Sequence, residues 1–553
     1  MPFLLLLLPN IYLWWSSQDI TILLLSICCL FLLFAFFKTT KYSFLFLPFL
    51  WIIPFYLYYI SIYQTSINEQ ILSIVLETNF QEILSFLGEK IYNYVIYILI
   101  WNILCIYFCY KCYKCPVIWI HRSRYWVLSV FIFYFIVSYI SQQKISNSIN
   151  NNFTKQNDFL VQEDNNFLQE LKKTYPIGLI ISFNKLYVEQ NKVKQAFSKN
   201  KDFKFNTIQH AQNIRIKEVY ILIIGETSRK HNWSLNGYQR ETNPLLNQQK
   251  NLVNFDNMLS ISTATRSSIP MMITRKPAQQ VYRYDFPERS IISAFKETGF
   301  STYWISTQQK FGAFDTSTSV YAKEADYMLF LNKTSYSNRG DTDEIIFPEL
   351  KKAIQSAGDK KFIVIHTLGS HYNYSHRYTN NFDIFRPSLN NIKNYSMQDK
   401  RYKTELLNSY DNSILYTDYI LNELIEILKM QKDTESFVFF ASDHGEDLFD
   451  NECNKSGHGN TTIYNYEIAS FAWYSDLYQQ RNPTKINWLE QNKQRKINQT
   501  SIFPTLIDAA NLKIPNDSLD KSILKDFKNY PRLVEGGIDF DKTQPQGVCK
   551  EIQ

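Results

Sequence analysis

Two carboxylates and an imidazole stand directly after short apolar runs in this chain. Val219-Tyr-Ile-Leu-Ile-Ile224 leads into Gly225-Glu226-Thr227-Ser228-Arg229, and Phe437-Val-Phe-Phe-Ala-Ser442 leads into Asp443-His444-Gly445-Glu446. Glu, Asp and His carry the oxygen and nitrogen donors that suit Zn²⁺, and three of them leave one tetrahedral position open. The hydroxyl-rich segment Ser260-Ile-Ser-Thr-Ala-Thr-Arg-Ser-Ser-Ile-Pro270 opens a predicted helix and offers a group for that position. Zinc lowers the pKa of a bound water from about 16 to about 7, and it acidifies an alcohol in the same way. The start of a helix also presents backbone N–H groups to a phosphate. On residue type alone Thr263, Thr265, Ser267 and Ser268 are equivalent candidates, and an ordinary helix cap accounts for them equally well.

Histidine is scarce, 8 in 553 residues, so its placement carries information. His366, His371 and His376 follow a predicted strand, while His444 and His458 flank an acidic loop. A neutral imidazole can ligate a second metal, and a protonated one can hold an anion or give up a proton. His366 follows its apolar run directly and reads as a core residue; His371 and His458 are the better functional candidates.

Strands and helices must bring these groups together. Val219–Ile224, Ser301–Ser306, Phe362–His366 and Phe437–Ser442 read as strands, and Thr404–Met430 reads as a long helix. Such alternation predicts an α/β domain with a parallel sheet covered on both faces. Ligands then bind beyond the carboxyl ends of the strands.

Charge divides the chain. Residues 1–140 hold 7 Lys/Arg and 5 Asp/Glu, against 51 and 46 in the rest. The first part is expected in lipid and the second in water. Apolar runs near 3–15, 20–37, 42–63, 91–113 and 125–140 predict about five spans, the first also short enough for a signal-peptide core. Lys38 and Lys41 share one loop, Lys111, Lys114, Arg122 and Arg124 another, and Asp19, Glu69, Glu77, Glu82 and Glu89 fall opposite. Positive-inside then places everything after residue 140 outside the cytoplasm. Residues 141–215 read as a linker, with Phe159–Leu171 as an amphipathic bridging helix, and residues 216–553 as the catalytic domain.

Composition excludes other classes. Only 15 Gly exclude a collagen-like chain, and 45% apolar residues exclude disorder. The net charge of +7 forms no clustered basic stripe, so no nucleic-acid partner is expected. Cys109, Cys112 and Cys115 straddle a membrane boundary without a fourth ligand, which argues against a metal site. Cys453 and Cys549 stand apart from the spans, and the sequence leaves open whether they pair.

In combination these stretches resemble the phosphoethanolamine transferases that modify bacterial lipopolysaccharide, inner-membrane enzymes of the alkaline phosphatase and sulfatase superfamily. The resemblance rests on Gly225-Glu-Thr-Ser-Arg229, Ser234-Leu-Asn-Gly-Tyr238, Arg240-Glu-Thr-Asn-Pro-Leu245 and Thr263-Ala-Thr265 ahead of Ile269-Pro270. It continues through His366-Thr-Leu-Gly-Ser-His371, Tyr410-Asp-Asn412, Tyr416-Thr-Asp418, Ser442-Asp-His-Gly-Glu446 and Gly457-His-Gly459. With Glu77-Thr-Asn79 and Glu82 in an outward loop it extends over nearly the whole chain.

The resemblance implies an N-terminal multi-helix transmembrane domain and an α/β alkaline-phosphatase-like domain with a mainly parallel sheet flanked by helices. It singles out Thr265, five residues before Pro270, as the nucleophile. Glu226, Thr265, Asp443 and His444 match zinc ligands, with one ion expected and room for a second. His371 and His458 match positions tied to phosphoethanolamine binding, to a second zinc or to proton transfer. Thr78 and Glu82 match a lipid-binding cleft whose third position, usually Asn, is here Ile74. The implied donor is phosphatidylethanolamine, and the acceptor lipid A or a lipopolysaccharide core sugar, at the periplasmic face of the inner membrane.

Three departures stand out. Ile261 and Met271 replace cysteines that many members pair around the nucleophile segment. Arg266 replaces a small residue, and Tyr303-Trp-Ile-Ser-Thr-Gln-Gln309 with Asp315-Thr316 resembles branches acting on several acceptors. The rivals are a phosphoglycerol transferase of the same superfamily and a catalytically dead membrane-anchored scaffold. A sulfatase would need a C/S-x-P-x-R segment, which this sequence lacks.

Overall fold

The structure is a computed structural model and describes residues 2–17, 19–36, 41–63, 66–67, 72, 75, 91–116, 121–126, 129, 170–209, 216–283, 286–309, 317–332, 342–392 and 395–552. Thr78, Glu82, Ile74, most of the expected span at 125–140 and all but the end of Phe159–Leu171 lie outside the described residues. The chain forms two compact units. One comprises Met1–Thr78 with Lys90–Glu189, and the other contains Gln190–Gln553.

In the first unit helices α1 (Leu8–Ser17), α2 (Ile20–Phe36), α3 (Leu47–Tyr63) and α4 (Ile91–Lys114) correspond to the first four apolar runs. Among the described residues, two stretches, Ser43–Ser61 and Ile96–Lys114, are long and apolar enough to cross a membrane. Leu13, Ile22, Leu30, Leu50, Ile53, Tyr56, Ile60, Cys105 and Cys109 form their shared core. On α4, Ile96, Leu99, Ile100, Ile103, Leu104 and Ile106 remain exposed, a face that is stable only against apolar surroundings. Asn10, fully buried, donates to Tyr175 O at 2.8 Å and accepts from Tyr175 N at 2.7 Å. Its amide thus satisfies both backbone groups of a residue far along the chain. Helix α5 (Ile177–Lys199) follows, in a stretch the linker reading left without regular structure.

The second unit is built on a seven-stranded sheet. Its strands are β1 (Lys217–Gly225), β2 (Leu252–Asn254), β3 (Ser301–Gln309), β4 (Tyr327–Asn332), β5 (Lys360–His366), β6 (Thr434–Ser442) and β7 (Ser470–Tyr474), in the order β2-β7-β6-β1-β5-β3-β4. Only β7 runs against its neighbours; β6, β1, β5, β3 and β4 pair in parallel. The four expected strands are present, each longer by two or three residues. Central β1 is buried from Glu218 onward because it is covered on both faces. Tyr220, Leu222 and Ile224 enter one core, and Val219, Ile221 and Ile223 the other, as the two-residue period of a strand requires.

Two helices serve the site. Helix α6 (Thr265–Ile273) is buried from Ser267 onward. Helix α7 (Lys403–Lys429) buries a stripe through Leu406, Tyr410, Ile414, Thr417, Leu421, Leu424 and Leu428, the three-to-four spacing of a helix packed on a sheet. Its polar residues hold the chain that leaves β1. Asp411 accepts from Asn232 at 2.5 Å, Tyr238 at 2.8 Å and Arg240 at 2.7 Å. Asp418 accepts from the backbone of Leu245 and Leu246 at 2.9 and 3.0 Å. The motif residues between 232 and 246 are therefore ordered by one helix.

The C-terminal segment is pinned twice. Cys453 and Cys549 are joined in a disulfide, which decides the question the sequence left open. It closes a loop of about 95 residues between the acidic loop and the chain end, and replacing both cysteines with serine is expected to cost about 2–4 kcal/mol. Urea unfolding of the full chain, with and without reductant, measures this; reductant should bring the native protein down to the variant.

Arg532 donates twice to Asp541, at 2.8 and 2.6 Å, and once to Asn257 O at 2.7 Å. These bonds, with Lys496, hold the Asp541 carboxyl down at about 2. A depressed carboxylate stabilises the fold above its unfolded value of 3.8, and that contribution is lost as pH falls through 2. Asp541→Asn is expected to cost about 1 kcal/mol at neutral pH, after discounting for its partial exposure. The gap to wild type should close between pH 4 and pH 2 in urea titrations, and a gap independent of pH would contradict the ion-pair assignment.

Candidate active site

The two metal-ligand candidates on strands leave the sheet side by side. In the register of β1 with β6, Gly225 pairs with Ser442, so Glu226 and Asp443 emerge from adjacent parallel strands at the same level. His444 follows at once. Gly445 permits this arrangement because a Cβ there would fall 2.0 Å from Tyr464 O. Thr227 stands in the left-handed region at φ 59°, and its backbone N–H donates to Asp443 Oδ1 at 3.1 Å. Its hydroxyl donates to Glu226 Oε1 at 2.7 Å. Tyr410 on α7 braces this turn, donating to Thr227 O at 2.6 Å and accepting from Arg229 N at 3.0 Å.

Glu226, Asp443 and His444 place one donor atom each within 4.8 Å of one another, and all three are buried. His444 Nδ1 lies 2.9 Å from Gly445 O. A carbonyl only accepts, so Nδ1 carries the proton and Nε2 presents its lone pair to the site. Nε2 lies 3.5 Å from Glu226 Oε1 and 3.4 Å from Asp443 Oδ2. Thr265, the first residue of α6, puts its Oγ1 at 3.2 Å from His444 Nε2 and 3.5 Å from Glu226 Oε2. The structure thus brings together all four residues expected as ligands, and among the four hydroxyl candidates of that segment Thr265 is the one within 3.5 Å of both Glu226 and His444.

A cation fits this donor set. Asp443 Oδ2 is buried and accepts no hydrogen bond from the described residues. Burial, and then the charge of Asp443, push the Glu226 carboxyl well above its ordinary value. Two carboxylates and an imidazole lone pair converging out of water are unfavourable unless a positive charge lies between them. Oxygen and nitrogen donors in this number suit zinc.

A second group, His444, Glu446 and His458, adjoins the first. His458 Nδ1 lies 3.2 Å from Glu446 Oε2, and Tyr374 donates to Glu446 Oε1 at 2.7 Å. The His458 ring is 4.5 Å from that of His444 and 6.2 Å from that of His371, centroid to centroid. His371 Nδ1 lies 2.6 Å from Tyr372 O, and burial pushes the ring down to about 3, so it is neutral at physiological pH. His366 is buried at the end of β5, with both ring nitrogens lacking a hydrogen-bond partner among the described residues. It is a core residue as expected, though an unsatisfied one.

Sequence reasoning missed two glutamines. Gln308 at the end of β3 donates to Glu226 Oε2 at 3.1 Å and Thr367 O at 2.9 Å. Gln499 donates to Ser268 Oγ and Asp443 O, both at 2.7 Å, and accepts from Ile261 N at 3.0 Å. Gln308 lies inside the stretch Tyr303–Gln309, but its residue type alone does not point to Glu226, and Gln499 lies far from any motif.

The fold, a mainly parallel seven-stranded sheet with carboxylates, imidazoles and a hydroxyl gathered at its carboxyl edge, is that of the alkaline phosphatase superfamily. The chain belongs to the sulfatase family within it, whose model matches residues 218–512. Phosphoethanolamine transferase EptC of Escherichia coli K12 is 27% identical over 341 residues, 59% of this chain and 58% of that protein. The chain thus aligns with a little over half the length of this curated relative. The crystal structure of the C-terminal periplasmic domain of E. coli EptC in complex with zinc matches with a TM-score of 0.55 at 26% identity. The match covers 63% of this chain and 98% of that one. The integral membrane lipooligosaccharide phosphoethanolamine transferase A of Neisseria meningitidis matches in fold, with a TM-score of 0.67, 20% identity and 93% of each chain covered.

Proposed function

We propose that this chain moves phosphoethanolamine from phosphatidylethanolamine to lipid A or a lipopolysaccharide core sugar, through a phosphothreonine on Thr265. The reading rests chiefly on the Thr265 hydroxyl, 3.2 Å from His444 Nε2 and 3.5 Å from Glu226 Oε2, at the mouth of a buried donor set. Residues 1–140 form the membrane part, 141–215 the linker and 216–553 the catalytic domain, at the periplasmic face of a bacterial inner membrane. Thr78 and Glu82 contribute to the lipid cleft.

Glu226, Thr265, Asp443 and His444 would hold one zinc ion, the single lone pair of His444 being that on Nε2. Bound zinc would lower the hydroxyl pKa and offset charge on the phosphoryl oxygens. Thr265, partly exposed, loses its proton to solvent and forms an Oγ–P bond as the P–O bond to the glycerol breaks. His458 protonates the departing diacylglycerol oxygen and then takes the proton of the acceptor hydroxyl, which attacks phosphorus and releases Thr265. Neutral His371 accepts a hydrogen bond from the substrate ammonium. The opening N–H groups of α6 face the phosphoryl oxygens. Both substrates are lipids, and a site anchored at the bilayer meets them in two dimensions.

Mass spectrometry of lipopolysaccharide from cells expressing the chain tests the reading. A phosphoethanolamine increment is expected. A glycerophosphate increment would assign the phosphoglycerol reaction instead, and unmodified lipid with a zinc-free protein would point to a scaffold.

A further inference from the structure

The nucleophile segment is gripped from outside the sheet by one carboxylate that no motif contains. Glu535 lies in the turn Glu535–Gly537, where Gly536 and Gly537 take φ of 76° and 73°, and is only 7% exposed. Four hydroxyls reach its two oxygens. Ser262 donates at 2.8 Å and Tyr282 at 2.7 Å to Oε2; Thr263 donates at 3.1 Å and Tyr466 at 2.9 Å to Oε1. Its backbone N–H donates to Ile261 O at 2.8 Å. Three consecutive residues before Thr265, from 261 to 263, are therefore bound to one side chain and its peptide.

The grip continues past Thr265. Ser262 Oγ and Ser267 Oγ are 2.6 Å apart. The single proton of Ser262 is drawn to the carboxylate, the stronger acceptor, so Ser267 donates to Ser262. The chain Ser267 to Ser262 to Glu535 brackets Thr265 by two residues on one side and by three on the other. Ile261, Met271, Ala278 and Val281 make a small apolar cluster on which Leu533 packs, and this packing holds the outer side of the same loop. The turn itself is held by the pairing of Leu533–Val534 with Ile538–Asp539 and by Arg532 with Asp541.

We propose that Glu535 is a positioning residue for the nucleophile, fixing the direction of Thr265 by orienting the hydroxyls of Ser262, Thr263 and Ser267 around it. This rests on the transferase reading above. A carboxylate accepts at every lone pair, whereas an amide at the same place offers one oxygen and two N–H donors, which four hydroxyl donors cannot all satisfy. A displacement of the attacking oxygen by a fraction of an ångström then lowers the rate without touching the ligand set.

The test uses the full chain in detergent with phosphatidylethanolamine and lipid A. Glu535→Gln is expected to lower kcat about 10- to 100-fold, with KM for the donor within about twofold and zinc content equal to wild type. Arg481→Gln, which breaks the part-buried pair with Glu435 on β6 and touches none of these groups, should keep wild-type kcat. Ser262→Ala should reproduce the kcat loss, and the double variant with Glu535→Gln should be no slower than Glu535→Gln alone, since the two share one path. A Glu535→Gln enzyme with wild-type kcat, or one that loses its zinc, overturns the proposal. If Glu535→Gln fails to fold, Ser262→Ala decides, and wild-type kcat there overturns it equally. A wild-type chain that transfers no phosphoethanolamine would instead overturn the transferase reading.

Discussion

Thr265→Ala is expected to abolish product, by up to about 10⁶-fold, the scale on which removal of a covalent nucleophile acts. The reason is local. The Thr265 hydroxyl lies 3.5 Å from Glu226 Oε2 and 3.2 Å from His444 Nε2, with its one proton to share between them, and the neighbouring hydroxyls are already committed. Thr263 binds Glu535, Ser267 binds Ser262, and Ser268 donates to Asp443 O at 2.5 Å. None of them can substitute without breaking a buried hydrogen bond. The fold should survive, because Thr265 is partly exposed and α6 is anchored from Ser267 onward. Lipid mass spectra beside a thermal unfolding curve measure both, and wild-type product from a folded Thr265→Ala protein would remove Thr265 from its role. Thr265→Ser should keep part of the activity, since it retains the hydroxyl.

Asp443→Asn is the second large effect, and its sign depends on the metal. Asn keeps an oxygen for the two N–H groups that Asp443 Oδ1 now accepts, from Thr227 at 3.1 Å and His444 at 2.7 Å. The turn should therefore hold. What is lost is the charge, and zinc affinity should fall by at least about 100-fold, the upper end of what even outer partners of a ligand cost. Without metal the order reverses: Glu226 and Asp443 repel each other in a buried place, so the variant should be more stable than the wild type in chelator. With zinc the wild type should win, by the binding free energy it alone collects. Metal analysis and melting curves with zinc or chelator separate these effects. An Asp443→Asn protein that retains one zinc per chain would overturn the ligand assignment.

The geometry explains why so few groups suffice. Strands β1 and β6 deliver Glu226 and Asp443 at one level because parallel neighbours in register end together. The sheet, not the loops, sets their separation. The loops add direction: Thr227 turns back onto both carboxylates, Gly445 lets the chain pass against Tyr464, and α7 holds the returning segment through Asp411 and Asp418.

The sequence by itself was enough to mark the strand tips. An apolar run followed by a carboxylate is a local pattern, which β1 and β6 satisfied, while β3 and β5 showed as strand-like runs alone. The charge division between the first 140 residues and the rest is equally local, since lipid and water select composition directly. Strand β2 is three residues long, and β4 and β7 sit at or near the sheet edges without a distinctive pattern, so none of them stood out. Helix α5 was missed because its apolar first half, Ile177–Val188, lies inside a segment whose composition as a whole is polar.

Only the tertiary structure selected Thr265 from four hydroxyls on physical grounds, paired Cys453 with Cys549, and brought Gln308, Gln499 and Glu535 to the site. Each of these depends on a contact between residues tens to hundreds of positions apart. A buried hydrogen bond is fixed by where two backbones pass each other, and no local spacing of residue types encodes that.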